Sequence, residues 1–306
     1  MTDFIIRRLL LLIPVTFGVI TLVFLLIHFI PGDPVDLMLG EQALAVDKEA
    51  LRHQLGLDQP LTIQYVSYLQ RLTNGDLGTS LYSRQPVLDE IQARVPATAR
   101  LAFVAMLFAL LISFPLGMAA GWKQYSLLDN SAMLLALIGV SMPNFWLGPL
   151  LILLFAVALG WFPVSGSGNF AHIFLPALTL GTSMAAILSR MVRSSLIDVK
   201  QKDYIRTARA KGLSEWIVLS KHALRNALIP VITIAGLQVG ALLSGAIITE
   251  QVFDWPGIGT LLLSGIQTRN YPLVQGCVLL IAMTYVVVNL VTDLFYAVVD
   301  PRIRIA

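Results

Sequence analysis

The chain has 306 residues, of which 57% are hydrophobic and only 13% are charged. Since an average soluble domain is about a quarter charged, this composition indicates a membrane protein with several spans rather than two soluble domains. The net charge of +3 is too small to predict nucleic-acid binding, and a single cysteine, Cys277, excludes a disulfide framework or a Cys/His metal set within the chain.

The first predicted membrane helix covers Leu9 to Ile30 and follows two arginines, Arg7 and Arg8. This apolar stretch is too long for the core of a signal peptide, and Pro31–Pro34 is not a small-x-small cleavage site. We therefore predict that residues 1–30 form a retained N-terminal transmembrane helix. Because the cytoplasmic flanks of membrane helices carry an excess of Lys and Arg, the N-terminus is predicted to lie in the cytoplasm.

Residues 31–99 form the one large extramembrane segment of the predicted topology. The segment follows a helix that begins in the cytoplasm, so it is predicted to be extracytoplasmic. It holds nine acidic and five basic residues. Apolar side chains recur at helical spacing, first at Leu51 and Leu55 and then at Tyr65 and Tyr68, and glycines and prolines interrupt the pattern. We predict short helices on the outer surface of the membrane.

Five further stretches approach the length that a membrane span requires. A bilayer core about 30 Å thick needs about 20 apolar helical residues. The stretches are Leu101–Gly121, Ser131–Gly160, His172–Ser189, Asn226–Thr249 and Tyr271–Thr292. The second has thirty residues and two prolines, Pro143 and Pro149, and is compatible with one kinked span or with two tightly joined spans.

The basic residues decide between these alternatives. Nine Lys and Arg lie from Arg190 to Arg225, and Arg302 and Arg304 lie near the C-terminus. A single span in Ser131–Gly160 places all of them in the cytoplasm with the N-terminal arginines, whereas two spans would expose the richest loop outside. We therefore predict an all-α polytopic membrane protein with six transmembrane helices and both termini in the cytoplasm.

The basic loop, residues 194–228, carries helical signals of its own. Asp198–Lys211 favours a helix, Gly212 suits a left-handed helix end, and Ser214 suits the cap of a second helix. Charge alone favours a solvated loop that only sets the topology. The helix–glycine–helix pattern predicts instead a rigid element that lies along the membrane and can transmit force.

The amino-acid sequence of this loop resembles that of a known family. Asp203–Ser214 (DYIRTARAKGLS) and Leu224–Pro230 (LRNALIP) are similar to the coupling loop, or EAA-type motif, of permease subunits in binding-protein-dependent ABC importers, particularly the peptide, nickel and glutathione branch. Many families have Glu in place of Arg206 and Ala in place of Thr207, and the peptide-type branch shares both departures. The likeness also covers Pro31–Pro34, Leu55–Leu61, Ser141–Gly148, Val252–Gly259, Arg269–Pro272 and Asp300–Arg304.

The resemblance implies a type I ABC importer permease fold, with an extracytoplasmic insert after helix 1 and a five-helix core at residues 100–306. It implies a multi-pass protein in the lipid of a bacterial inner membrane that forms a heterodimer with a second, homologous permease. The further implied partners are two ATPase subunits, which hold ATP and Mg, and an extracytoplasmic substrate-binding protein. The chain has no phosphate-binding loop, so we expect a non-catalytic subunit without a cofactor or metal. The implied coupling residues are Tyr204, Arg206, Thr207, Ala208, Arg209, Ala210, Lys211, Gly212, Leu213 and Ser214.

Uncharged polar residues within the spans are candidates for the translocation pathway. They are Asn144, which follows a proline, and Gln238 and Ser244 in the fifth helix. The alternative is helix packing, because small residues such as Gly240 allow helices to approach closely.

Residues in the outer turns are candidates for docking of the binding protein. Asp33, Asp254 and Trp255 hold such positions, although turn formation alone also accounts for the two aspartates. Trp255 also suits an interfacial aromatic. Glu250 lies at the outer end of the fifth span, where we expect contact with water.

We predict import of di- or oligopeptides, with glutathione as one candidate. A permease for nickel or another small solute remains an alternative, because that branch shares the motifs. A secondary carrier would need buried ion-coupling groups, and an intramembrane enzyme would need a catalytic set. The sequence contains neither pattern.

Overall fold

A computed structural model describes residues 2–29, 35, 39 and 44–299 of the chain. Over these residues the chain is helical and, apart from one isolated bridge between Thr79 and Pro86, contains no β-structure. The all-α prediction is therefore confirmed. The helices are α1 (Thr2–Phe29), α2 (Ala45–Leu55), α3 (Leu61–Thr73), α4 (Val87–Trp122), α5 (Leu127–Ser141), α6 (Asn144–Leu151), α7 (Phe170–Lys200), α8 (Asp203–Ala210), α9 (Glu215–Ile217), α10 (Leu224–Val252), α11 (Ile258–Gln267) and α12 (Tyr271–Val299). Two π-helical segments, Ile152–Ala158 and Val218–Ala223, extend α6 and join α9 to α10.

Within the described ranges, five stretches of helix are long and apolar enough to cross a membrane. They are Arg7–Leu25, Val87–Trp122, Phe170–Lys200, Glu215–Gly240 and Tyr271–Thr292. Each overlaps a predicted span. Two are much longer than predicted, since α4 begins inside the segment that was predicted to hold only short helices and α7 continues to Lys200.

The stretch Ser131–Gly160 forms two helices with a sharp bend between them, and together they count as one broken span or as a re-entrant loop. Helices α5 and α6 meet at an angle of 107°. Met142 between them is extended, with φ −83° and ψ 117°, because the ring of a following proline disfavours the helical conformation. Among the described residues, six spans result when α5 and α6 are counted together as one span, and five when they are not.

The chain divides into two compact units. One is built on Ala97–Pro256 together with Met1–Ile5 and Val287–Ala306, and the other on Ile6–Pro96 and Gly257–Val286. The division near residue 97 falls within α4. The predicted domain boundary at residues 99 and 100 stays a prediction.

In the first unit, α4 and α7 pack with their backbones close together. A Cβ atom on Gly117 would lie 2.6 Å from Cβ of Val192 and 2.7 Å from the carbonyl oxygen of Ser189. One turn later, a Cβ atom on Gly121 would lie 3.0 Å from the carbonyl oxygen of Arg193. Two glycines four residues apart are a common means of close approach between membrane helices. These two helices therefore form a tight pair.

The second unit joins the outer segment to the first and last membrane helices. The hydroxyls of Thr21 and Tyr65 lie 2.6 Å apart, and the Tyr65 ring packs 5.1 Å from that of Phe24. The Gln275 amide of α12 donates to the Val23 carbonyl at 3.3 Å. Helix α3 of the predicted insert thus packs on α1, which in turn contacts α12.

Candidate functional site

Helix α8 has one buried face and one exposed face. Ile205 and Ala208 are buried in the core of the first unit, whereas the Arg206 side chain is 75% exposed. Eight of the ten predicted coupling residues are exposed, Leu213 is half-buried, and Ala208 is buried: the exposed ones are Tyr204, Arg206, Thr207, Arg209, Ala210, Lys211, Gly212 and Ser214. The helix therefore presents Arg206 and Arg209 on its exposed face, while its buried face is fixed to the rest of the unit.

The helix predicted over Asp198–Lys211 is interrupted. Residues up to Lys200 belong to α7, and Lys202 is extended, with φ −76° and ψ 145°, before α8 begins at Asp203. Short contacts stabilise the new helix: Thr207 Oγ1 donates to the Asp203 carbonyl at 3.0 Å, and Arg206 lies 3.7 Å from the Asp203 carboxylate. The break separates the membrane helix α7 from a short helix with its own direction.

The predicted glycine turn is confirmed. Gly212 has φ +76°, and its N–H donates to the Arg209 carbonyl at 2.9 Å. Left-handed φ of this kind is the conformation that glycine adopts without a steric cost. Ser214 stands at the N-cap position of α9 as predicted, but its side chain makes no capping hydrogen bond. The Arg209 guanidinium instead binds the Glu215 carboxylate at 2.8 and 3.2 Å and ties α8 to α9 across the turn.

A further hydrogen bond holds α8 to the start of α10. The Asn226 amide donates to the Tyr204 hydroxyl at 2.9 Å. Asn226 lies in the second half of the quoted motif, LRNALIP, and Tyr204 lies in the first half. The motif therefore brings its two halves together in space, which the sequence alone does not show.

The pathway candidates lie on two helices that pack on each other. Asn144 is the first residue of α6 and is half-buried, as is Gln238 in α10. A Cβ atom on Gly148 of α6 would meet Phe253 and Val252 at 3.2 Å. Ser244 also lies in α10, but its side chain is outside the described part of the structure.

The docking candidates have different surroundings. Asp33 lies outside the described residues, and Asp254 is exposed in a left-handed turn with φ +49°. Trp255 is only 3% exposed, and its indole N–H donates to the Ala97 carbonyl at 3.0 Å. The Trp255 side chain therefore belongs to the core of the first unit, and an outer surface that receives a partner would have to use its neighbours.

The expectation that Glu250 contacts water is wrong. Its side chain is fully buried, and the Thr98 hydroxyl of α4 donates to its carboxylate at 2.6 Å. Burying a carboxyl group is favourable only when hydrogen bonds or charges compensate for lost water. This contact therefore fastens the end of α10 that carries Glu250 to α4.

Sequence reasoning also missed a buried ion pair between α5 and α7. Asp129 is 1% exposed, and its two oxygens accept from Nε and a terminal nitrogen of Arg193 at 2.5 and 2.8 Å. One of these oxygens also accepts from the Tyr125 backbone N–H at 2.9 Å. Asp129 stands just before the predicted span at Ser131, so nothing in the local pattern distinguishes it from an exposed flank residue.

Two family models together match most of the chain. The family model "Binding-protein-dependent transport system inner membrane component" matches residues 113–305, and the corresponding N-terminal model matches residues 1–102. The chain is 47% identical over 305 residues to the "Glutathione transport system permease protein GsiC" of Escherichia coli strain K12, and the match covers 99% of each chain. The same protein of Salmonella typhimurium is equally similar, at 47% identity with the same coverage.

Solved structures share the fold. A chain of the MetNI methionine ABC transporter in an inward-facing conformation matches with a TM-score of 0.58 and 20% identity, over 70% of this chain and 97% of that chain. A chain of an amino acid ABC transporter crystallised with histidines matches with a TM-score of 0.52 and 15% identity, over 70% of this chain and 94% of the other. At these identities the likeness concerns the fold, and it agrees with the predicted type I importer permease fold.

Proposed function

The chain belongs to the family of binding-protein-dependent transport system inner membrane components, in the peptide and glutathione branch of the ABC importer permeases. From this membership we propose that the chain forms part of the pathway by which glutathione and related short peptides enter the cell. The observation that carries the proposal is the 47% identity to a glutathione permease over 99% of both chains. Glutathione is itself a short peptide, so the predicted peptide class and the name of this relative agree.

A metal solute has less support. No group of three or more His, Cys, Asp or Glu that could hold a metal ion occurs among the residues that the structure describes. The relatives at 47% identity are named for glutathione. We therefore propose glutathione as the first substrate to test and di- and oligopeptides as the second.

We propose that the chain works as a non-catalytic subunit of a larger importer. Its partners would be a second, homologous permease, two ATPase subunits that bind ATP and Mg, and a substrate-binding protein outside the inner membrane. The exposed arginines of α8, Arg206 and Arg209, support a docking role toward an ATPase with acidic groups, since complementary charges steer and orient protein partners. A cytoplasmic location of α8 and of both termini is supported by the excess of Lys and Arg in the loop and at the chain ends.

The proposed mechanism begins at α8. ATP binding would draw the two ATPases together and carry α8 with them. Because Ile205 and Ala208 fix α8 to the buried core, a displacement of α8 moves the membrane helices around it. Arg209, Glu215 and Gly212 keep the two short helices in one arrangement, so the force is not lost in a flexible loop.

Uptake by the isolated importer tests the function. The complex would be purified through a tag on this chain, reconstituted into vesicles and supplied with its binding protein, ATP and radiolabelled glutathione. We expect uptake that needs both ATP and the binding protein, and that unlabelled di- or tripeptides reduce. ATP-independent uptake, or uptake that responds to nickel and not to glutathione, would contradict the proposal.

Gly212→Val is expected to uncouple ATP hydrolysis from uptake. No atom lies within 4 Å of a Cβ placed on Gly212, so the change adds no clash and acts through the backbone alone. A left-handed conformation costs a non-glycine residue about 1–2 kcal/mol, and a β-branched residue tolerates it least. We expect glutathione imported per ATP to fall about tenfold, measured as the ratio of uptake to phosphate release in the same vesicles.

Gly212→Asn is the matched control for that change. Asparagine is enriched among residues with left-handed φ, so the turn keeps its geometry and coupling stays near the wild-type ratio. Equal coupling ratios in the Val and Asn variants would show that the turn is not needed for transmission.

Gln238→Leu tests the pathway assignment. The substitution keeps the size of a half-buried side chain but removes its polar group. If the amide contacts the peptide during passage, uptake is expected to fall about fivefold to tenfold, since one hydrogen bond contributes about 1 kcal/mol. Complex yield should be unchanged. Leu237→Met, at the adjacent exposed position, is the control, and normal uptake by Gln238→Leu would remove Gln238 from the pathway.

A further inference from the structure

Trp122, the last residue of α4, lies next to two cations. The Lys200 ammonium is 5.1 Å from the centre of its ring, and the central carbon of the Arg209 guanidinium is 5.5 Å from it. A cation within about 6 Å of an indole ring is attracted to the negative face of the ring. Lys200 is the last residue of α7 and Arg209 belongs to α8, so the Trp122 side chain of α4 contacts both helices. These contacts between Trp122, Lys200 and Arg209 form a junction of three helices.

Hydrogen bonds reinforce the junction from the α7 side. The Lys200 ammonium donates to the carbonyl oxygens of Trp122 and Gly121 at 2.6 and 3.3 Å. The last carbonyls of a helix have no partner within the helix, and they carry its negative partial charge. Lys200 therefore fastens the end of α7 to the end of α4.

Arg209 reaches the same ring from the α8 side. Its guanidinium is held at the same time by the Glu215 carboxylate across the Gly212 turn. The same guanidinium therefore contacts both α9 and the Trp122 ring. A movement of α8 would act on Trp122 through this side chain.

Helix α4 continues this connection across the first unit. From Thr98 to Trp122 it is an unbroken helix, which corresponds to about 36 Å at 1.5 Å per residue. Gly117 and Gly121 hold it against α7. At its other end Thr98 donates to the buried Glu250 carboxylate of α10. The helix thus links the coupling loop to the end of α10 that leads into the Asp254 turn.

We propose that Trp122 is a positioning residue for transport. When α8 is displaced, Arg209 moves the Trp122 ring and thereby α4, and α4 moves the end of α10 that carries Glu250. The proposal rests on the proposed function, since it needs an ATPase to displace α8. It assigns to α4 the transmission of that displacement, a role that the coupling motif alone does not indicate.

Trp122→Ala in the complete, reconstituted importer is the first test. We expect the complex to assemble and to hydrolyse ATP, while the glutathione imported per ATP falls about fivefold or more. Trp161→Ala is the matched control, because Trp161 is an exposed tryptophan of the same unit with no role in the junction. An unchanged ratio of uptake to ATP hydrolysis in Trp122→Ala would overturn the proposal.

A second measurement separates the cation contact from simple packing. Tryptophan analogues with one to several fluorine atoms weaken the attraction to a cation and keep the shape of the ring. The five tryptophans of the chain would all be replaced in this way, so the same series in a Trp122→Phe background serves as the control. We expect the coupling ratio to fall stepwise with fluorination only in the chain that retains Trp122. An equal fall in both backgrounds, or none in either, would contradict the proposal.

The two proposals fail in different ways. If the chain is not part of an ATP-driven glutathione importer, the wild-type complex shows no ATP-dependent uptake of labelled glutathione. If only the role of Trp122 is wrong, the wild-type complex transports normally and fluorination changes the ratio of uptake to ATP hydrolysis equally, or not at all, in the two backgrounds.

Discussion

Asp129→Ala is expected to lower the free energy of unfolding by about 3 kcal/mol, because it leaves the partly buried Arg193 guanidinium without its carboxylate. Asp129 is 1% exposed and Arg193 is 25% exposed, and two short hydrogen bonds join them. The change also removes the acceptor of the Tyr125 N–H. The measurement is the unfolding midpoint of the purified complex in detergent, together with the amount of folded chain recovered from membranes.

A matched aspartate–arginine pair serves as the control. Asp203 and Arg206 lie 3.7 Å apart with exposures of 98% and 75%. Since exposed pairs contribute about 0–1 kcal/mol, Asp203→Ala should leave the unfolding midpoint almost unchanged. A loss of stability in Asp203→Ala as large as in Asp129→Ala would show that burial is not the cause.

Replacing both members of the buried pair tests the same explanation from the other side. Asp129→Leu combined with Arg193→Met removes both charges, and apolar replacement of a buried pair is often close to neutral. We expect the double variant to be more stable than Asp129→Ala alone. If it is less stable, the carboxylate has a role beyond pairing, such as holding the turn at Tyr125.

The sequence predicts the features of this protein that depend on nearby residues. Apolar length located five of the spans, and the single span predicted at Ser131–Gly160 overlaps a bent pair of helices, Leu127–Ser141 and Asn144–Ala158. Gly212 was predicted as a left-handed turn because few other residues adopt that conformation. Proline before Asn144 indicated a distortion, but the 107° angle between α5 and α6 depends on how each packs in three dimensions.

Features that depend on distant residues were missed or misread. Glu250 and Trp255 lie near the end of a span, where composition favours contact with water or an interface. Both are buried because Thr98 and Ala97, about 150 residues earlier, supply their hydrogen bonds. Ser214 had the right type and position for a cap, yet the ion pair between Arg209 and Glu215 stabilises the turn in its place.

The coupling loop combines a feature that the sequence predicts with contacts that it does not predict. Its exposed, basic face follows from the order of residues along α8. Its anchoring does not, because Tyr204 binds Asn226 in the second half of the motif and Arg209 lies at the Trp122 ring of another helix. The family likeness identifies which residues belong to the loop, and the structure adds the contacts through which it is held.

Gly117→Leu is expected to separate α4 from α7 and to prevent recovery of the folded chain. A Cβ atom alone would lie 2.6 Å from Cβ of Val192 and 2.7 Å from the Ser189 carbonyl oxygen. Both distances are shorter than the van der Waals contact distance of these atoms. The second of these is a backbone atom, so no side-chain rotation relieves the clash. Overpacking a filled interior typically costs about 1–3 kcal/mol and sometimes more. The leucine side chain is much larger than a methyl group, which already clashes at this position.

The smaller change, Gly117→Ala, gives a graded form of the same prediction, and Gly18→Ala is its control. Nothing lies within 4 Å of a Cβ atom on Gly18 of α1, so that alanine only improves helix propensity, by up to about 1 kcal/mol. We therefore expect opposite signs: a lower unfolding midpoint for Gly117→Ala and an equal or higher one for Gly18→Ala. A Gly117→Ala variant as stable as the wild type would show that α4 and α7 can move apart freely, and it would remove the rigid pair on which transmission through α4 depends.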